Sequence, residues 1–170
     1  NWNLSGIKNI YFSAMFEDAI DPFEEPETPL ELEDWHFNLS NWNVQGEADL
    51  SSMFNGFSNR NIYINLTGWN PKLKGWLDHV FYHNNICQLD GIENWDTSNV
   101  TYMQYVFGDI SRLEKLNLSQ WNIENVGEIY YLTPLCQHLD VSNWKFSNFN
   151  GEYNRIFKPQ SGNISNATLI

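Results

Sequence analysis

The chain has 170 residues, 42% of them hydrophobic and 16% aromatic, enough to bury a sizeable core as one domain. Its net charge of −12 leaves no basic surface to neutralise phosphates, which excludes nucleic acid as a partner. No apolar run approaches the ~18 residues of a membrane-crossing helix, so no direct membrane insertion is expected.

Taken in chain order, one pattern recurs around a tryptophan: Trp2, Trp42, Trp69, Trp95, Trp121 and Trp144, at spacings of 40, 27, 26, 26 and 23 residues. Before most of these lies an apolar–polar–apolar triplet followed by Ser or Thr: Phe37–Ser40, Ile64–Thr67, Leu116–Ser119, Leu139–Ser142. Such alternation is a strand with one buried face. After Trp95 come small polar residues, Thr97 to Asn99, of the kind that cap a helix. Val100, Met103, Val106 and Phe107 follow at the spacing of one helical face. Each repeat therefore reads as strand, Trp corner, short helix and return loop.

A unit this small cannot bury its own apolar side, but stacking such units does. The sequence predicts an α/β leucine-rich-repeat solenoid, with a parallel β-sheet on one face and short helices on the other. Phe37, Ile64, Leu116 and Leu139 would form one buried rung, and Leu39, Leu66, Ile92, Leu118 and Val141 the next. The pairs Met15–Phe16, Met53–Phe54, Val80–Phe81 and Val106–Phe107 would close the other side. Trp35 and Trp76 fall outside the series and read as packing residues. Residues 1–170 form a single repeat domain, and the opening inside a repeat suggests a fragment of a longer chain.

The long first spacing holds an insertion, residues 17–34, with nine of the 21 acidic residues, three Pro and no Lys or Arg. It lacks the alternating ligands and central Gly of a calcium loop, so it reads as a solvated loop. Cys87 and Cys136 stand at equivalent positions two repeats apart, about 10 Å, beyond disulfide reach, and are expected as buried, reduced thiols. His79 and His83 are four apart but flank apolar residues, so they read as a surface pair rather than a metal site. No phosphate loop, nucleophile elbow or metalloprotease motif is present, so no catalytic residue, metal or cofactor is expected and the chain is read as non-enzymatic.

The motif L-x-L-S-x-W-[DN]-T-S-x-V-x-x-M-x-x-M-F, matched best around Leu116–Asn122, Asn94–Phe107 and Phe37–Phe54, resembles the BspA-type leucine-rich repeat of bacterial surface proteins. The resemblance covers Trp2 to Phe157, with departures at Pro71–Lys72, Gly91 and Phe157. It implies an exported, surface-anchored, extracellular protein that adheres to a host or matrix protein, mucin or glycan. The alternative is a structural spacer or capping segment of a larger surface protein. Alternate residues of each strand should line the exposed sheet face: His36, Asn38 and Ser40; Tyr63, Asn65 and Thr67; Asp90 and Glu93; Lys115, Asn117 and Ser119; His138, Asp140 and Ser142. The central Asn/Asp row could equally form an amide ladder along the sheet. The large outer residues, Tyr63 foremost, are the expected anchors for a macromolecular ligand bound by a monomeric chain.

Overall fold

The computed structural model describes residues 9–16, 33–58, 60–110, 112–132, 136–148, 156 and 168–169. The corner at Trp2 and nearly all of the acidic insertion, residues 17–32, lie outside them. The described residues contain eleven strands: β1 (Asn9–Tyr11), β2 (Asp34–Asn38), β3 (Glu47–Asp49), β4 (Asn61–Asn65), β5 (Lys72–Asp78), β6 (Ile86–Asp90), β7 (Asp96–Gln104), β8 (Lys115–Asn117), β9 (Glu128–Tyr130), β10 (His138–Asp140) and β11 (Thr168–Leu169). Their one helical element is a 3-10 turn, Ser40–Trp42. Every pairing among them is parallel. Even-numbered β2, β4 and β6 form one sheet, odd-numbered β1, β3, β5, β7 and β9 a second, and β8, β10 and β11 a third.

The molecule is thus a β-solenoid, not an α/β leucine-rich repeat: the segments expected to be helices are strands followed by turns, with Met53–Phe54, Val80–Phe81 and Val106–Phe107 in the turns. The reason is visible in β7. Its pairing with β5 slips register twice, which inserts extra residues and lets buried Thr97, Val100 and Met103 recur every third position. A bulged strand of this kind imitates helical periodicity, since each bulge adds one residue to the ordinary alternation of two. The polar residues after Trp95 do not cap a helix either. Asp96 accepts from the Ser98 amide (3.1 Å) and hydroxyl (2.6 Å), while buried Thr97 donates to the Asn122 carbonyl on the next coil.

Each coil runs strand, tryptophan corner, strand, aromatic turn, and the sheets share one core. The corner tryptophans couple neighbouring coils. Trp69, Trp121 and Trp144 each donate an indole N–H, at 2.8 Å, to the carbonyl of Leu39, Ile92 and Leu118 respectively. Indole rings pair as Trp42–Trp69 and Trp95–Trp121, both with centroids 6.2 Å apart. At the turns, Phe54, Phe81 and Phe107 stack nearly parallel at 5.7 and 5.5 Å. Such pairs contribute ~0.5–1.5 kcal/mol each beyond the area they bury. The predicted rungs are present, with Phe37 and Val141 half-buried and the others named above buried. Met15 is a correction: it is 40% exposed rather than in the core.

One buried amide ties two turns together. The Asn84 side chain donates to the carbonyls of Phe54, Phe81 and Tyr82 and accepts from the Phe57 amide. With four partners it can be buried without the penalty of an orphaned polar group.

The sheet expected to run unbroken through five copies ends at β6, because β6 pairs with β4 alone and β8 with β10 alone. Gly91, at φ +90°, sits at this junction. A Cβ there would lie 2.3 Å from the Leu66 carbonyl carbon and 2.4 Å from the Thr67 nitrogen. Only glycine permits that approach. The neighbouring corner is the irregular one: the equivalent acceptor for Trp95 would be the Leu66 carbonyl, and the buried Trp95 indole N–H makes no hydrogen bond.

Candidate functional site

On β2, β4 and β6 the residues of the predicted face stand opposite one another on neighbouring strands. His36 lies opposite Tyr63, and Asn38 opposite Asn65, which in turn faces Asp90. The His36 and Tyr63 rings stack with centroids 4.5 Å apart and planes 17° apart. Together with Gln88 these residues line a shallow groove of ≈ 260 Å³. Tyr63's outward neighbour on β6 is Gln88, two residues before Asp90 as Tyr63 is two before Asn65, and Cys87 is the extra residue of a bulge just ahead of that pair. Spacing from the tryptophan misses Gln88, because the fourth copy has one more residue between strand and corner: Asp90 is five before Trp95, whereas its partner Asn65 is four before Trp69. Cys87 next to Tyr63 raises the phenol's pKa above its ordinary value, helped by partial burial and by Asp34. Cys87 is free but half-buried, a correction to the buried thiol expected; Cys136 is free and buried, and burial raises its thiol pKa.

The remaining candidates fall on the third sheet. Lys115 faces His138, and Asn117 faces Asp140. All four belong to β8 and β10, across the break after β6, so the expected continuous strip is two separate patches.

The central row forms no amide ladder among the described residues, and one side-chain oxygen of each Asn or Asp is engaged by its own corner in the second, third, fifth and sixth copies. Each member turns its own corner by accepting from the amide two residues on: Asn38 from Ser40, Asn65 from Thr67, Asn117 from Ser119, Asp140 from Ser142. The Ser40 and Ser119 hydroxyls bond the same oxygens, and Ser119 is buried, 8% exposed, rather than on the face. In the fourth copy Glu93 performs the task by accepting from the Gly91 amide. Bonding to Ser142 holds the Asp140 carboxyl below its usual pKa. This is the short-range chemistry that makes Asn and Asp favoured turn residues.

A second surface escaped the sequence reading. Trp76, expected to pack inside, is 71% exposed on β5. Its ring meets Tyr102 on β7 at 5.6 Å, and Tyr102 meets Tyr130 on β9 at 6.2 Å. Alongside runs a second column, His79–Tyr105–Tyr131, stacked at 4.9 and 5.0 Å, with Tyr82 edge-on to both His79 and Tyr105. A signal was present: His79, Tyr105 and Tyr131 each follow a corner tryptophan by ten residues. Among the described residues no group of three or more His, Cys, Asp or Glu could hold a metal ion, and His79 instead bonds Asp78 at 2.6 Å. No helix among them is long and apolar enough to cross a membrane.

A family model described as Mycoplasma protein of unknown function, DUF285, matches residues 1–85 and again residues 48–167. No curated protein and no solved structure matches the chain. The overlapping double match agrees with a chain built from one repeated unit, and this protein belongs to the DUF285 family.

Proposed function

We propose that this chain is a non-enzymatic binding module of a bacterial cell-surface protein, working outside the cell in the manner implied by its resemblance to BspA-type adhesins. Its ligand is a macromolecule, a host or matrix protein, a mucin or a glycan, and the chain acts as a monomer. The observation that supports this reading is the stacked His36–Tyr63 pair on the rim of a groove whose other lining includes Asn38, Asn65, Gln88 and Asp90. A flat ring beside amide and carboxylate groups supplies apolar area together with directional hydrogen bonds, the combination that anchors a partner. A spacer is the second reading, favoured by the use of the Asn/Asp row in the corners. Surface plasmon resonance against mucin, extracellular-matrix proteins and a glycan panel separates the two. The module reading expects one class of ligand to bind and the Tyr63→Ala variant to lose that binding while keeping its fold. Failure of every ligand, or undiminished binding by the folded variant, favours the spacer or another surface.

A further inference from the structure

The aromatic surface of β5, β7 and β9 is separate from the groove just described, and its chemistry points to a different occupant. Trp76 and Tyr102 face outward on adjacent strands, beside the His79–Tyr105–Tyr131 column. Folding does not require rings in that column. The equivalent turn positions in earlier coils hold Ala14 and Ser52, at φ 56° and 55°, against 52°, 50° and 47° for His79, Tyr105 and Tyr131. Bulky side chains are disfavoured at positive φ, and the smaller residues show that the turn forms without them. Ring stacking between coils compensates for part of this cost, yet it leaves Trp76 71% exposed.

The electrostatic setting selects the partner. Asp78 and Glu128 lie close enough to raise the Tyr102 pKa after the larger effect of burial, and Tyr131 and Asp109 do the same for Tyr105. From Trp76 to Ser111, and again from Leu116 to Trp144, the sequence has no Lys or Arg. Two cations, Lys72 and Lys74, are exposed on β5 before Trp76, and Lys74, which lines a pocket with Trp76, is paired with Glu47. From Trp76 onward the surface therefore combines electron-rich ring faces with carboxylates, and the cation beside Trp76, Lys74, is engaged by Glu47. A guanidinium or ammonium group over a tryptophan or tyrosine face is attracted by the ring quadrupole, and nearby carboxylates add to the attraction. Anionic glycans and acidic peptides are repelled by the same field.

We propose that the outward surface of β5, β7 and β9 binds an Arg- or Lys-rich polypeptide segment, with Trp76 and Tyr102 as the cation-stacking platform, Glu128 opposite Tyr102 as the main counter-charge and Asp78, which also bonds His79, as a second. Three strands at about 4.8 Å spacing span roughly 10 Å, so the recognised stretch is about three extended residues. This site is independent of the His36–Tyr63 groove and stands whether or not that groove binds anything.

The test is calorimetric titration of the purified chain with an oligo-arginine peptide, an oligo-glutamate peptide and a neutral chito-oligosaccharide, at about 0.01 M and about 0.15 M ionic strength. The arginine peptide should bind and the glutamate peptide should not, and affinity should fall at the higher ionic strength. Trp76→Ala and Tyr102→Ala should each weaken the arginine peptide about fivefold to tenfold. Both substitutions leave the charge unchanged, so general attraction to an acidic chain is not altered by them. Glu128→Gln should weaken binding less and flatten the salt dependence, and Tyr63→Ala should bind as the parent does. Circular dichroism checks that each variant is folded. Equal binding of the arginine peptide by the parent and by both ring variants overturns the proposal. Tighter, salt-insensitive binding of the oligosaccharide also overturns it, in favour of a glycan surface.

Discussion

The sheet of β2, β4 and β6 and the outer strands β5, β7 and β9 are built from the same repeat but spend their polar residues differently. On the first, Asn38 and Asn65 hold the corners through their own side-chain oxygens, and Glu93 does so in the coil of β6. On the second, the outward positions of β5 and β7 carry Trp76 and Tyr102, while the core beneath is held by Leu77 and Met103. Outward residues on one sheet are therefore part of the folding chemistry, whereas several on the other are free of it. Exposure of a repeated polar residue is not in itself a sign of ligand binding.

The largest effect that would break this comparison is expected at the junction. Gly91→Ala forces a Cβ into the Leu66–Thr67 backbone at a positive φ, and overpacking with left-handed strain should cost about 3 kcal/mol or more. A urea midpoint near the parent's would show that the corner can move aside. Leu118→Ala should cost about 2–5 kcal/mol in chemical denaturation, because it empties a position that is 1% exposed. The neighbouring Asn117→Ala removes only the bonds to the Ser119 amide and hydroxyl and should cost about 1 kcal/mol. Equal losses at the two positions would contradict the division between core and corner.

A smaller, pH-dependent effect belongs to Asp140. Its folded pKa is lowered by Ser142, so its contribution is present above the unfolded value of about 3.9 and is lost as pH falls through the lower folded value. The stability difference between the parent and Asp140→Ala should therefore persist at neutral pH and close in acid below that window. A difference that grows on acidification would reverse the assigned sign. The smallest effect is expected at Trp76: being largely exposed, its replacement by Ala should change stability by no more than about 0.5 kcal/mol. A thermal shift of several degrees would mean that the ring serves the fold.

The repeat, its tryptophan corners and most of the buried rung residues could be read from the sequence, because stacking identical units forces the same side chains inward at each pass. Phe54, Phe81 and Phe107 illustrate this: equal spacing places them in one stacked column. The helices could not be judged correctly. Val100 and Met103 have helical spacing, and only the partner strand reveals that a bulge produces it, while Val106 follows in the turn after β7. Trp76 faces solvent for a simpler reason: it alternates with buried Leu73 and Leu77 along β5, whose own alternation is unbroken because the extra residue of the slip lies in β7.

What the sequence by itself determined is that a repeated apolar set must be buried by stacking, which follows from the period alone. Which backbone geometry accomplishes the burial, where the even-numbered sheet ends and which rings reach solvent were decided by tertiary structure. Pairing register depends on hydrogen bonds to residues about one coil away, and a one-residue slip turns a strand's side chains to the other face. At Gly91, the deciding neighbour is the Leu66–Thr67 backbone of the preceding coil, which no local pattern around the glycine contains.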